Sequence, residues 1–181
     1  MRLGTPLPGL GLGLAMGIVL CACTEDVPLA TGAGEFFPDA DAVVIGGEHF
    51  FSNAQGILAS QLRFDTLYSW NDSIQSQLRG VVLITFNADG SERARVTALR
   101  GTIDSRYESF TALGNVILDV PGEGMHMETE ELRYDSQADQ IASDTCFVLT
   151  RAGGAPLRGS IFRSDLGFQN VQAQDLGGCA R

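Results

Sequence analysis

Apolar and polar residues alternate with a period of two over long stretches of this chain. The even positions from 74 to 86 are mostly apolar, while three odd positions in the same stretch are polar: Ile74, Ser76, Leu78, Gly80, Val82, Ile84 and Phe86 against Gln75, Gln77 and Arg79. Successive side chains of a strand point to opposite faces. The stretch therefore predicts one long, half-buried strand whose even-numbered residues share a face.

The same alternation recurs on both sides of this strand. Leu58, Leu62 and Phe64 repeat it upstream, and positions 116, 118 and 120 repeat it downstream, with no helical period after residue 40. Turn-forming residues separate the alternating stretches, as in "NADGSE", "PGEG", "DSQAD" and "RAGGAP". Gly, Asn and Asp accept the backbone angles of tight hairpin turns. Hairpins are favoured over a calcium loop at "NADGSE", which lacks the spaced run of oxygen ligands.

Alternating strands begin near Val82, Val116 and Phe147, at intervals of about 30 residues. Each interval holds a strand, a turn and a returning strand, so the pattern predicts an all-β fold of stacked antiparallel hairpins with one continuous apolar inner face. That face encloses either a filled core or a ligand groove. The side chains expected on it are Ile74, Leu78, Val82, Ile84, Phe86, Val116, Leu118, Met127, Leu132, Phe147 and Leu149.

The N-terminus reads as a targeting segment. An apolar run from residue 3 to 20 leads into "LCAC", which predicts a signal peptide over residues 1–22 with a lipoprotein box and Cys23 as the acylated mature terminus, carrying chains such as palmitate. An uncleaved membrane anchor is the alternative, since 18 residues just suffice to span a bilayer. Residues 23–38 are acidic and rich in Gly, Ala and Pro, typical of a tether. We expect a folded domain over 39–176 and a short tail over 177–181.

Two of the four cysteines remain once Cys21 leaves with the signal peptide and Cys23 is acylated. Export places them in an oxidising compartment, where Cys146 and Cys179 form either one disulfide or two unpaired thiols.

Charge and motifs narrow the function. The net charge is −10 and no lysine occurs, which argues against nucleic acid as a partner. Glu130 and Glu131 are adjacent and point to opposite faces of a strand, so they do not form a facing acid pair. His126, Glu128 and Glu130 share a face, but nothing else in the sequence supports a metal site there. No catalytic signature occurs. We expect no catalytic residue, metal or cofactor.

Four segments carry a family resemblance: "LRFDTLYSWNDS", "VLITFNADGS", "TALGNVILDVPGEGMHMETEELRYDSQADQIASD" and "LRGSIFRSDLGF". Over about residues 40–170 they resemble the LptC family, a periplasmic component of lipopolysaccharide export, and more distantly LptA and OstA-like domains. The resemblance implies a twisted antiparallel β-jellyroll, a folded sheet open along one side, whose apolar lining holds lipid A acyl chains.

The resemblance also implies partners and a location. Its members receive lipopolysaccharide from an inner-membrane ABC transporter and pass it to an LptA-like bridge protein through edge-to-edge strand pairing. The expected location is the periplasmic side of the inner membrane, attached here through the N-terminal lipid. Family members carry a transmembrane helix instead, and Thr24 follows Cys23 where an aspartate would mark inner-membrane retention. An LptA-like or outer-membrane role therefore stays open, as do a structural or adhesive β-solenoid lipoprotein with a filled core and a lipid- or glycan-modifying enzyme.

Overall fold

The computed structural model describes residues 39–53, 55–135, 137–177 and 179. The predicted signal peptide (1–22), acylated Cys23 and tether (23–38) lie outside the described residues. Strands occupy most of the described chain: β1 (Ala42–Ser52), β2 (Leu58–Ser69), β3 (Gln75–Phe86), β4 (Glu92–Asp104), β5 (Ser109–Val120), β6 (Met125–Asp135), β7 (Gln140–Ser143), β8 (Phe147–Arg151), β9 (Leu157–Gly159), β10 (Ile161–Ser164) and β11 (Gln172–Gln174). One turn of 3₁₀ helix, Pro121–Glu123, joins β5 to β6.

All these strands belong to one antiparallel sheet. Its order is β1-β2-β3-β4-β5-β6-β7-β10-β11, and β8 and β9 continue it from β6. The first half of β6 pairs with β8 and its second half with β7, so the sheet branches along this strand. The predicted all-β fold of consecutive antiparallel hairpins is confirmed.

A crease crosses the sheet at mid-strand. Each ladder from β1 to β6 is interrupted or shifted there. Backbone angles in the left-handed region mark the same line on alternate strands, at Gly46, Gly80, Gly114 and Asn115. Interruptions of this kind bend a strand and re-aim its side chains. The long strands therefore fold back, and their two halves pack as two layers.

The crease changes which residues face inward. In β3 the core side chains are Leu78 before the crease and Val81 and Leu83 after it. In β4 the core side chains change from even to odd positions in the same way, from Ala98 before the crease to Ile103 after it. The predicted uninterrupted period of two along β3 is therefore wrong beyond residue 79, because Gly80 adopts φ +60° and turns the remainder of the strand over.

The core lies between the two layers. It takes side chains from both halves of the long strands and from β7, β8 and β10. Phe147 of β8 meets Phe162 of β10 edge to face, with ring centroids 5.9 Å apart. Thr129 sits at the branch of β6, where its hydroxyl donates to the carbonyl oxygen of Cys146 at 3.0 Å and lies 2.8 Å from the hydroxyl of Thr145. These bonds satisfy a buried polar group where the ladder changes partner.

The tight turn after β3 has the chemistry expected of it. The amide of Gly90 donates to the carbonyl oxygen of Asn87, and the amide of Asn87 donates to that of Ser91. Asp89 accepts hydrogen bonds from the amide and hydroxyl of Ser91, which lower the pKa of its carboxyl. The segment is a hairpin turn, as predicted.

Candidate functional site

The candidate site is the apolar space between the two layers. Seven of the predicted inner-face residues are buried in the one core: Leu78, Val116, Leu118, Met127, Leu132, Phe147 and Leu149. They come from β3, β5, β6 and β8, so the fold brings together residues far apart in the sequence. All seven pack in this one core, and their contact with lipid stays a prediction.

Four other predicted residues do not share this face. Ile74 precedes β3 and is 74% exposed. Val82 and Phe86 are half-buried and lie outside the core. Ile84 is buried but does not belong to the main cluster of core side chains, which includes its neighbours Val81 and Leu83. The predicted inner face was wrong at these four positions because β3 begins after Ile74 and reverses its facing at Gly80.

The space between the layers is narrow beside Leu83. A gap there has a volume of about 10 Å³ and is lined by residues of β3 to β7 such as Val96, Phe110 and Ile141. A volume of that order holds no more than one water. An acyl chain therefore enters this space only if the layers separate.

A larger pocket, the seam pocket, adjoins this gap. Its volume is about 250 Å³, and its walls come from the ends of β2, β3, β6 and β7 and the segment after β10. Thr85, Tyr134 and Ile141 line both the pocket and the gap. The seam pocket is thus separated from the interior gap by these three side chains. Its apolar lining is Ile57, Leu58, Ala59, Phe86, Ala88, Tyr134, Ile141 and Leu166.

Polar side chains share the walls of the seam pocket: Asn53, Ser60, Thr85, Asn87 and Arg93. Arg93 lies at its rim, where Nε donates to Oδ1 of Asn87 at 3.0 Å. Burial raises the pKa of Tyr134, so its phenol stays protonated at neutral pH. Sequence reasoning missed this pocket because its walls come from strand ends and turns that alternation does not connect.

An aromatic contact joins the layers beside the edge strand β1. Tyr107, in the turn between β4 and β5, lies 5.5 Å from the ring of His49 and 5.4 Å from that of Phe51, measured between ring centroids. His49 also stacks on Phe64 at 6.0 Å. The turn residue gave no sequence signal, since its partners lie more than 50 residues upstream.

The outer face of β5 and β6 carries an ion cluster. Nδ1 of His126 lies 2.6 Å from Oδ1 of Asp119, and Nε2 lies 3.5 Å from Glu128. The hydrogen bond with Asp119 raises the pKa of His126. Within 39–53, 55–135, 137–177 and 179, no group of three or more His, Cys, Asp or Glu side chains is arranged so that it could hold a metal ion. The arrangement is a solvent-facing network of charges.

A disulfide joins Cys146 to Cys179, with Cα atoms 5.7 Å apart. It ties the end of the chain to the start of β8, and it is the pairing that the sequence left open. Among the described residues, no helix is long and apolar enough to cross a bilayer. The predicted acylation of Cys23 falls outside the described chain.

No family model and no curated protein matches the chain. One solved structure to which it is similar is LptH of Pseudomonas aeruginosa, described as the LptA homologous periplasmic component of the conserved lipopolysaccharide transport device. The identity is 14%, the alignment covers 63% of this chain and 80% of LptH, and the TM-score is 0.49. The function must therefore be argued from the residues of this chain.

Proposed function

We propose that this protein is a periplasmic lipopolysaccharide-binding bridge component. It receives lipid A acyl chains from an inner-membrane ABC transporter and passes them toward the outer membrane. The proposal rests first on the residue segments that resemble the LptC family. A finer assignment within that group, LptC-like rather than LptA-like, is part of the same proposal.

The observation that carries the proposal is the adjacency of the seam pocket to the apolar interior, since Thr85, Tyr134 and Ile141 line both the pocket and the gap between the layers. A carrier between two membranes must keep acyl chains out of water, where each exposed methylene costs about 0.8 kcal/mol. The seam pocket provides an apolar entrance, and the two layers provide an apolar path once they separate. The layers would separate at the seam pocket, where the ends of β2 and β3 meet the ends of β6 and β7. They cannot separate at the crease, because each long strand runs through both layers there.

The edge strand β1 suits the proposed partners. Among the described residues, β1 pairs with β2 alone, so one side of its backbone is left for another strand. Val43, Val44 and Ile45 on β1 are exposed, and Ile45 reaches 67%. An unpaired, apolar edge accepts strand addition from a related domain. The transporter or an LptA-like bridge protein would supply that strand.

The proposed location follows from the N-terminal sequence. Export and acylation at Cys23 would tether the domain to the periplasmic side of the inner membrane, with the acidic segment 23–38 as a spacer. An outer-membrane tether is the alternative that the residue after Cys23 leaves open.

A second function has one observation in its favour. The gap of about 10 Å³ beside Leu83 makes the interior an ordinary filled core as it stands. A structural or adhesive lipoprotein would have such a core and would never open it. Only bound lipid separates the two functions.

Photo-crosslinking in cells tests the proposal, with adjacent residues as a matched pair. Leu83 lies in the core and Ile84 lies outside it, while both are buried and belong to β3. A photoreactive residue at position 83 should capture lipopolysaccharide, and one at position 84 should capture far less. If neither position, nor Leu118 or Met127, captures lipid in a stably folded protein, the bridge function is wrong and the filled-core function takes its place.

A further inference from the structure

The rim of the seam pocket carries one cation, Arg93. The residue lies in the second position of β4, just after the turn that connects it to β3. Its Nε is held by Asn87, a residue of that turn, at 3.0 Å. Since one edge of the guanidinium is fixed in this way, its position is preorganised beside the pocket rather than free in solvent.

No carboxylate lies within ion-pair distance of Arg93 among the described residues, although the chain has a net charge of −10. Nearby arginines are paired. Arg95, two residues along the same strand, binds Glu92 at 2.6 Å, and Arg63 binds Glu48 at 2.7 Å. Arg93 therefore has no salt-bridge partner among the described residues, although Asp139 and Asp135 lie close enough to Tyr134 of the same pocket to contribute to the raised pKa of its phenol.

An apolar pocket with a cation at its rim is complementary to an anionic amphiphile. The acyl chain is matched by Leu58, Phe86 and Leu166, and the anion by Arg93. A guanidinium binds phosphate through two parallel hydrogen bonds, which an ammonium group does not reproduce. Tyr134, whose phenol is protonated, supplies a further donor in the same pocket.

We propose that Arg93 binds a phosphate group of the phosphorylated glycolipid whose acyl chain enters the seam pocket. The inference rests on the proposed function, and it adds an entrance and an orientation to it. The acyl chain enters between the ends of β2 and β3 in one layer and the ends of β6 and β7 in the other. The phosphate stops at the turn between β3 and β4, outside the interior.

The test compares bisphosphorylated lipid A with the same lipid after enzymatic removal of its phosphates. Binding of each to the folded protein is measured by equilibrium titration for the wild type, Arg93→Gln, Arg93→Lys and Arg95→Gln. Loss of a charge-assisted hydrogen bond weakens binding by about tenfold or more. Arg93→Gln should therefore lose about tenfold for bisphosphorylated lipid A and nothing for the dephosphorylated lipid.

The other variants sharpen the result. Arg95→Gln removes a neighbouring but carboxylate-paired charge, so it should bind both lipids as the wild type does. Arg93→Lys keeps the charge but lacks the planar guanidinium. Its affinity for bisphosphorylated lipid A should lie between those of the wild type and Arg93→Gln. Thermal denaturation of each variant shows that the turn at Asn87 is still folded, and Arg93→Lys replaces Arg93→Gln in the comparison if the latter unfolds.

The outcomes separate the two proposals. If the wild type binds both lipids equally well and Arg93→Gln changes neither, the phosphate site is wrong while the bridge function stands. If the wild type binds neither lipid, the bridge function itself is overturned.

Discussion

The carboxylate of Asp65 occupies the space in which a side chain at residue 80 would lie. An ideal Cβ on Gly80 would stand 1.9 Å from Oδ2 and 2.3 Å from Cγ of Asp65. The two residues face each other across β2 and β3 at the crease, where Gly80 also has φ +60°. The backbone angle therefore favours glycine at this position, and a side chain there would also have to push the exposed carboxylate of Asp65 aside.

Gly80→Ala should lower the free energy of unfolding by about 2–3 kcal/mol, because it adds a steric clash to the cost of a left-handed backbone for a non-glycine residue. Gly90→Ala is the matched control. Gly90 has φ +84° but nothing within 4 Å of its Cβ position, so that variant should lose only the backbone part, about 1 kcal/mol. Urea unfolding measures both, and equal losses would show that Asp65 does not restrict this position.

The crease also explains what the sequence could and could not predict. The inward residues of β5 and β8 could be predicted because each strand keeps one parity along its length: even positions in β5, as at Val116 and Leu118, and odd positions in β8, as at Phe147 and Leu149. In β3 four consecutive residues after the crease are apolar: Val81, Val82, Leu83 and Ile84. Odd and even positions therefore look alike, and alternation alone does not show that the inward face changes there. Glycine at position 80 was the available signal, since an isolated strand glycine often marks a bulge or bend.

The candidate site was harder to predict than the fold. Its entrance depends on which strand ends meet after the sheet folds over, and Leu166 and Ile57 are brought together only by that folding. The sequence allows only one disulfide, between Cys146 and Cys179, because the other two cysteines belong to the predicted signal peptide and lipidation site. Only the fold shows that the two residues approach each other. Local patterns predict strands, whereas contacts between layers depend on where each strand bends.

The ion cluster at His126 should make stability depend on pH. Because the hydrogen bond with Asp119 raises the pKa of His126 above 6.5, the folded protein binds this proton more tightly than the unfolded chain. The stabilisation is complete below pH 6.5 and is lost as the pH rises through the raised pKa. Both side chains are more than 40% exposed, so screening should keep the effect below about 1 kcal/mol.

His126→Gln tests this relationship. The variant should be less stable than the wild type at pH 5.5 and nearly equal to it at pH 8.5, as measured by urea unfolding. Asp119→Asn should remove most of the same pH dependence, since it removes the carboxylate that favours the charged imidazole. A difference between wild type and His126→Gln that does not vary with pH would contradict the prediction.

The disulfide should contribute substantially to stability. It closes a loop of 33 residues, and constraint of the unfolded chain by such a loop is worth about 3–4 kcal/mol in the chain-entropy description. Cys146→Ser with Cys179→Ser should lower the free energy of unfolding by about that amount, and reduction of the wild type should give a similar loss. Rapid alkylation of both cysteines in native, unreduced protein would instead show two free thiols.

Anchoring through Cys23 is a prediction from sequence alone. Cys23→Ala should leave the protein unprocessed or released, because signal cleavage and acylation both require the cysteine of the lipoprotein box. Mass spectrometry of the wild-type N-terminus provides the measurement. An intact Met1 in the membrane fraction, without an acyl adduct, would favour the uncleaved anchor.

Tyr107 combines an inter-layer contact with an unfavourable backbone. Its ring packs on His49 and Phe51 of β1, and its φ is +60°, a region that aromatic residues rarely adopt. The ring contact must therefore offset a backbone cost on the order of 1 kcal/mol or more. Since the turn at Tyr107 belongs to one layer and His49 to the other, this contact holds the layers together beside the open edge.

Tyr107→Ala should make lipid uptake easier if the layers separate to admit acyl chains. Loss of an aromatic contact worth about 1 kcal/mol would raise the population of the separated state about fivefold, and apparent lipid affinity would rise in proportion. Tyr107→Phe keeps the ring and should behave as the wild type does. Lipid A binding, followed by stopped-flow and equilibrium titration, measures both variants. If Tyr107→Ala lowers stability yet leaves the rate and affinity of binding unchanged, lipid reaches its site without separation of the layers at this contact, and the path into the interior must run through the seam pocket alone.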